Sequence, residues 1–345
     1  MPLHAMFPFQ CPLVILPAFS HSFPCFLSLL RWSCCALLFT RSAQPPTSVL
    51  VKTFNKWCVA NNKELRGARR STNERPMREA RIAQHLSDTA ATAPHVTAFH
   101  GFFDLANSDW YVAVSEFASG GDLMNQLNNG GACPGGWLDE ARARGVFRQM
   151  VDAVLAMHTA GRVVHLDISL ENFVCAGGDL DAVVAAEAVA AAGAVDGAVD
   201  GAVGLRVIDF GVARDLRDLD GGSGATAGRM RRWFGKPKMA PPEMYDAFCY
   251  YVPEKCDVWS LGISLFAILF ARLPFNVGAT YADPFFVWMC GQSEGLAAAV
   301  EGWGKSGEIP QVVSPACLDL LKSMVCADPY QRLSMAEVRA HPWLQ

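Results

Sequence analysis

At 345 residues the chain is long enough to bury a sizeable core and to divide into two lobes or domains. A formal net charge of -4 excludes a polyanion-binding role for the chain as a whole, and 51% hydrophobic against 18% charged residues excludes wholesale disorder. Its 12 cysteines include no C-x-x-C pair, so neither a zinc site nor a dithiol motif is indicated, and a reducing, cytoplasmic compartment is expected.

Residues 1–45 stand apart, rich in Pro, Phe, Leu and Cys, with Arg31 and Arg41 but no Asp, Glu or Gly. The apolar run from Phe23 to Thr40 is short for a spanning helix and carries Arg31 mid-segment, a charge costly in hydrocarbon, so membrane insertion is not expected. As a secretory signal it lacks a basic start, and its apolar stretch sits late. Three readings stay open: an acid-poor organelle transit segment, a disordered tail, or a misassigned start of the reading frame.

The run Ser48 to Phe54, β-branched and apolar up to Lys52, predicts a strand. Lys63 to Leu86 is rich in arginine and predicts a helix from Pro76, with Met77, Ala80, Ile82, Ala83 and Leu86 as its apolar positions. Its charges read as a solvated helix face in preference to a nucleic-acid patch. Val96 to Phe103 and Trp110 to Phe117 predict two further strands, Ser119 to Asp122 a turn, and Leu123 the start of a short helix.

Arg144 to His158 reads as a helix, and Val163-Val164 as a short strand entering the loop His165 to Phe173. Within that loop Asp167 and, five residues on, Asn172 are a suggestive pair. A carboxylate can accept the proton of an attacking hydroxyl, and an amide oxygen can hold a divalent metal. Alone, the pair reads equally well as an Asx-rich turn.

Val174 to Leu205 is almost pure Ala, Val, Gly and Asp, with Gly-Ala-Val-Asp recurring from Gly193 to Gly201. It reads as a low-complexity surface insertion between two strands; Val183 to Ala192 has helical composition but little to pack with. Val207 to Gly211 predicts a strand ending in an Asp at a glycine turn, and Asp215 to Lys238 a mobile Gly- and Arg-rich stretch. Helices are expected at Cys256–Phe270, Cys317–Met324 and Met335–Ala340.

Together, in this order, the motifs from about 46 to 344 resemble the eukaryotic protein kinases. Val49-Leu50-Val51-Lys52 looks like the strand whose lysine meets the α- and β-phosphates, and Glu79 stands where that lysine's carboxylate partner is found. Ser115-Glu116-Phe117-Ala118 resembles the hinge, where the backbone at Glu116 and Ala118 would pair with adenine. The resemblance also places Leu50, Asp122 and Val174 at the nucleotide. It makes Asp167 the base and Asn172 and Asp209, in Asp209-Phe210-Gly211, the Mg²⁺ ligands. Pro241-Pro242-Glu243 is similar to the end of an activation segment, with Glu243 expected to pair with Arg332, and Asp257 is expected to brace the catalytic-loop backbone.

The implied fold is α+β and bilobal: a partial β-rich N-lobe with the hinge at 46–118, and a mainly helical C-lobe at 119–345 carrying the Ala/Gly-rich insertion at 176–204. The implied reaction uses ATP and Mg²⁺ to phosphorylate Ser or Thr hydroxyls of protein substrates.

The pattern departs from the family at several points. No glycine precedes Gly67, so the glycine-rich phosphate loop is not found, and the two strands flanking it are expected to be missing. Leu50 fills a position where the family usually has Ala, while Ser115 leaves room opposite. Leu166 replaces the Arg that often holds a phosphorylated activation segment, so activity is not expected to need phosphorylation at Ser223 or Thr226. Ser169 stands where Ser/Thr-directed members carry a Lys that contacts the transferred phosphoryl group, and Lys236 where they carry Thr. Asp122 and Glu171, two exposed acids, are a weak signal for basic residues ahead of the acceptor. These departures support an alternative, a pseudokinase acting as a scaffold or allosteric partner. A small-molecule kinase shares the Asp and Asn but not Pro-Pro-Glu or Asp257-Val258-Trp259-Ser260-Leu261-Gly262.

Overall fold

The computed structural model describes residues 33–39 (backbone alone), 48–61, 75–129, 135–191, 203–220, 228–231, 233–246, 248, 250–291 and 295–345. The expectations for residues 1–32 and 40–47, for the arginines of 62–74, for the Gly-Ala-Val-Asp repeat and for Ser223 and Thr226 lie outside these residues. The chain divides into two compact units, one drawn from residues up to Gln84 with Ala98–Phe117, the other from His85–Thr97 with Ala118–Gln345.

The first unit is built on an antiparallel sheet of four strands in the order β1-β2-β4-β3: β1 Ser33–Phe39, β2 Ser48–Asn55, β3 Phe99–Asp104 and β4 Trp110–Glu116. β1 corrects the expectation that both strands ahead of Ser48 are missing. It pairs along the whole free edge of β2, Phe39 opposite Ser48 and Ser33 opposite Phe54. The alternation of β2 sorts its side chains between faces. Val51, Val112 and Val114 pack with Val49 and Phe103 on one face, and Phe54 packs with Phe102, Tyr111 and Ala113 on the other. Lys52 projects on the Phe54 side. Helices α1 (Lys56–Asn61) and α2 (Pro76–Asp88) follow β2; Ala80, Ile82, Ala83 and Leu86 of α2 are buried, as their helical spacing predicts.

The second unit is mainly helical. α3 (Leu123–Asn129) precedes α4 (Glu140–Ala156), which Asp139 caps by accepting from the Arg142 amide at 3.0 Å. α4 buries Ala143, Val146, Phe147, Met150, Val151 and Val154, a stripe at helical spacing. A single π-helical turn, Met157–Gly161, then leads to β5 (Val163–Val164). β6 (Phe173–Ala176) pairs with β7 (Gly204–Val207), and β5 with β8 (Arg214–Asp215).

Between β6 and β7 lies α5 (Leu180–Ala191), where the sequence promised little to pack. That expectation is corrected. Leu180 and Val183 are buried, and Glu187 accepts from Arg148 at 2.9 Å and Gln149 at 3.3 Å, both on α4. Helices α6 (Leu216–Asp220), α7 (Pro253–Phe270), α8 (Pro284–Gly291), α9 (Gly295–Ser306), α10 (Pro315–Met324) and α11 (Met335–Arg339) complete the unit. α7 is its centre, buried from Cys256 to Phe270. Among the described residues no helix is long and apolar enough to cross a membrane.

Candidate active site

In the first unit, Lys52 Nζ donates to Glu79 Oε1 at 2.7 Å, with both side chains only 14% exposed. β2 delivers the lysine and the first turns of α2 the carboxylate. Partial burial keeps such a pair from being screened as a surface pair would be. Leu50 stands directly opposite Ser115 in the β2–β4 register. The Glu116 amide donates to the Ala98 carbonyl at 2.8 Å, and the Glu116 carboxylate accepts from the Ala98 amide at 3.0 Å. Glu116 is therefore tied to Ala98 through both its backbone and its side chain.

In the second unit, Asp122 and Val174 meet across an antiparallel bridge, flanked by bonds from Gly120 N to Cys175 O and from Cys175 N to Gly121 O. A Cβ at Gly120 would lie 1.9 Å from the Gly178 carbonyl, so only glycine fits there. The Asp122 carboxylate also accepts from the Asn125 amide at 2.9 Å and from its side chain, which makes it the N-cap of α3. The Ala118 carbonyl accepts from the Gly121 amide at 3.3 Å.

The loop from His165 to Phe173 is held from beneath by α7. Asp257, fully buried, accepts from the His165 and Leu166 amides at 2.8 Å each and from the His158 ring at 2.8 Å. The His165 ring accepts at Nδ1 from the Asp167 amide at 3.2 Å, so its Nε2 donates to the Ile208 carbonyl at 3.0 Å. Asn172 Nδ2 donates to the Asp167 carbonyl at 2.7 Å, which leaves Oδ1 as the acceptor atom of that side chain. Asp209 sits in the left-handed region at φ 65°, as does Leu166 at φ 64°. For residues with a Cβ this is uncommon and is held here by surrounding bonds.

The Asp167 carboxyl is subject to opposing influences. Burial pushes its carboxyl above the ordinary range and the Asp209 charge adds to that rise, while Lys236 and His165 pull it down. Its Oδ1 accepts from the Lys236 amide at 3.0 Å. The Lys236 ammonium reaches back to Ser169 Oγ at 2.6 Å and Glu171 Oε2 at 2.5 Å. Gly235, at φ 73°, permits this crossing: a Cβ there would lie 2.4 Å from the Leu166 carbonyl and 2.9 Å from Asp167 Oδ1. The sequence marked Ser169 and Lys236 as separate departures. Their contact, and the need for Gly235, were not read from it, although Phe234-Gly235-Lys236 carries a local signal in its glycine.

Leu166 is buried in an apolar cluster with Val164, Leu216, Met230, Phe234 and Met244. Further out, Arg332 donates to both Glu243 oxygens, at 2.7 and 3.0 Å, as the sequence leads one to expect. Among the described residues no group of three or more His, Cys, Asp or Glu gathers to hold a metal. Two hard oxygen donors such as Asn172 and Asp209 nonetheless fit Mg²⁺, which is ordinarily bound by one or two protein groups plus substrate phosphates.

The family model for the protein kinase domain matches residues 48–344. The chain is 31% identical over 258 residues to CBL-interacting protein kinase 22 of Oryza sativa subsp. japonica, covering 73% of this chain and 46% of that protein. It is 30% identical over 235 residues to testis-specific serine/threonine-protein kinase 3 of Homo sapiens, covering 67% of each. It is also 27% identical over 250 residues to serine/threonine-protein kinase chk1 of Schizosaccharomyces pombe, covering 72% of this chain and 41% of that protein. The chain thus spans less than half the length of two of these three relatives.

Proposed function

This chain belongs to the protein kinase family, and we propose that it transfers the γ-phosphoryl group of ATP to Ser or Thr hydroxyls of protein substrates. The names of the similar human and yeast proteins support the choice of hydroxyl. The observation that carries the reading is the geometry of one loop. Asp257 fixes the backbone on one side of Asp167, and Asn172 bonds its carbonyl on the other, so base and metal-facing amide are preset together.

Asp167 takes the hydroxyl proton as the acceptor oxygen bonds to the γ-phosphorus and the bond to the β-phosphate oxygen breaks, releasing ADP. Lys52, oriented by Glu79, holds the α- and β-phosphates. Leu50, Val174 and the backbone at Glu116 and Ala118 would hold the adenine, and Asp122 would contact the nucleotide beside them. Asn172 and Asp209 would hold Mg²⁺, which when bound would neutralise the charge of the phosphates. The free thiols among the described residues support a reducing, cytoplasmic setting.

A second reading, a pseudokinase scaffold without transfer, is favoured by one observation: no glycine precedes Gly67, and a tight phosphate-cradling loop needs residues without Cβ. The two separate by experiment. Mg²⁺-ATP is expected to raise the melting temperature, and the full chain to phosphorylate a protein Ser/Thr substrate, with loss of transfer in Asp167→Asn at unchanged melting temperature. Absence of transfer from the folded, full-length chain overturns the enzyme reading.

A further inference from the structure

The basic side chain whose charge acts most on the Asp167 carboxyl is Lys236, and it does not come from the loop that carries Asp167. It arrives from a separate segment, 67 residues on from Ser169, with which it shares a 2.6 Å bond between ammonium and hydroxyl. Its own amide holds Asp167 Oδ1 at 3.0 Å, so the residue grips the base through its backbone and presents its charge through its side chain. Glu171 steadies the ammonium from the far side at 2.5 Å. The left-handed Gly235 seats the segment against Leu166 and Asp167, which fixes where Lys236 begins.

We propose that Lys236 is a catalytic residue: its ammonium, carried on the opposite strand of chain from the usual one, binds an oxygen of the phosphoryl group in transit. This inference rests on the phosphotransferase reading above and deepens it. Ser169 and Lys236 have exchanged chemistries. A hydroxyl stands in the loop and an ammonium in the facing segment, and they meet at 2.6 Å, so the two positions face the same small space beside Asp167. During transfer Lys236 stays protonated. Its charge offsets that of the phosphoryl oxygens while the bond to ADP breaks and the bond to the acceptor oxygen forms, and the hydroxyl proton goes to Asp167. The bland alternative is an exposed ion pair with Glu171, the two side chains being 40% and 47% exposed, and such pairs contribute about 0–1 kcal/mol.

The exchange itself provides the test, on the full chain with Mg²⁺-ATP and a protein Ser/Thr substrate. Lys236→Thr is expected to lower kcat about 100-fold, with KM for ATP little changed. Its melting temperature should match wild type. Ser169→Lys/Lys236→Thr, which returns an ammonium to the same small space from the loop side, should recover kcat to within about tenfold of wild type. A folded Lys236→Thr with wild-type kcat overturns the inference and leaves the kinase reading standing. So does a folded double variant as impaired as the single one. An inactive wild-type chain overturns the kinase reading, and the role of Lys236 with it.

Discussion

Replacing Asp257 with Ala removes one carboxylate and strips three donors at once. The His165 and Leu166 amides and the His158 ring each bond it at 2.8 Å, and Asp257 is fully buried. Orphaning a buried donor costs about 1–3 kcal/mol, and breaking a buried charged network about 3–5 kcal/mol. Leu166 compounds the loss, because its φ of 64° is a conformation costing roughly 1–2 kcal/mol that the Asp257 bond helps to hold. The sum is expected to be about 4–7 kcal/mol against the second unit. Urea unfolding followed through Trp259 and Trp343, both buried in that unit, gives the number. Phosphoryl transfer should fall more than the fraction folded does, because Asp167 follows Leu166 directly. Asp257→Asn keeps the volume but points an amide N–H₂ at one of the same donors, so it should recover little. A loss below about 1 kcal/mol with transfer unchanged refutes the claim that α7 fixes the loop.

Three further outcomes follow from the same geometry. Gly235→Ala puts a Cβ 2.4 Å from the Leu166 carbonyl at a φ of 73°, so transfer should fall at least about tenfold with a local cost of about 1–3 kcal/mol, read by kinetics beside a melting curve. Arg332→Ala leaves Glu243 without its two bonds in a site where Arg332 is 1% exposed; melting should report a loss of about 3–5 kcal/mol, and Arg332→Lys should not restore the bidentate geometry. Asp167 must be ionised to act as a base and burial raises its pKa, so kcat/KM should fall with decreasing pH along a limb lying above that of an ordinary Asp. Lys236 holds that pKa down, so Lys236→Met should move the limb to higher pH; a limb that stays put or moves down contradicts the assigned cause.

Chemistry carried by family-like motifs was legible in the sequence even where its partners lie far apart in the chain. The Asp167–Asn172 loop, the Lys52–Glu79 pair, the Glu243–Arg332 pair and the bracing role of Asp257 each stand in the structure as bonded groups. Helices with a clean apolar stripe, such as α4 and α10, lie close to where their spacing puts them. Contacts made by weakly patterned segments were not legible. α5 has hardly any amphipathic signal among its alanines, and its docking depends on Glu187 finding Arg148 39 residues away. β1 was hidden because its apolar run reads equally well as tail or transit segment, and only pairing with β2 makes it a strand. The Ser169–Lys236 contact escaped for a related reason. Each position registers alone as a missing family residue, and only the fold shows that the two substitutions meet.

The apolar cluster around Leu166 carries a consequence for how the Met230–Tyr251 region answers its surroundings. Where a guanidinium would clasp a phosphate, Leu166 lies against Phe234, Met230 and Met244. A clasp of opposite charges loosens as ionic strength rises and is released by a phosphatase. One made of hydrocarbon offers a phosphatase nothing to remove, is not loosened by added salt, tightens in sulfate, and weakens on cooling. The contacts of Leu166 are therefore expected to answer to the solvent's cohesion and to temperature.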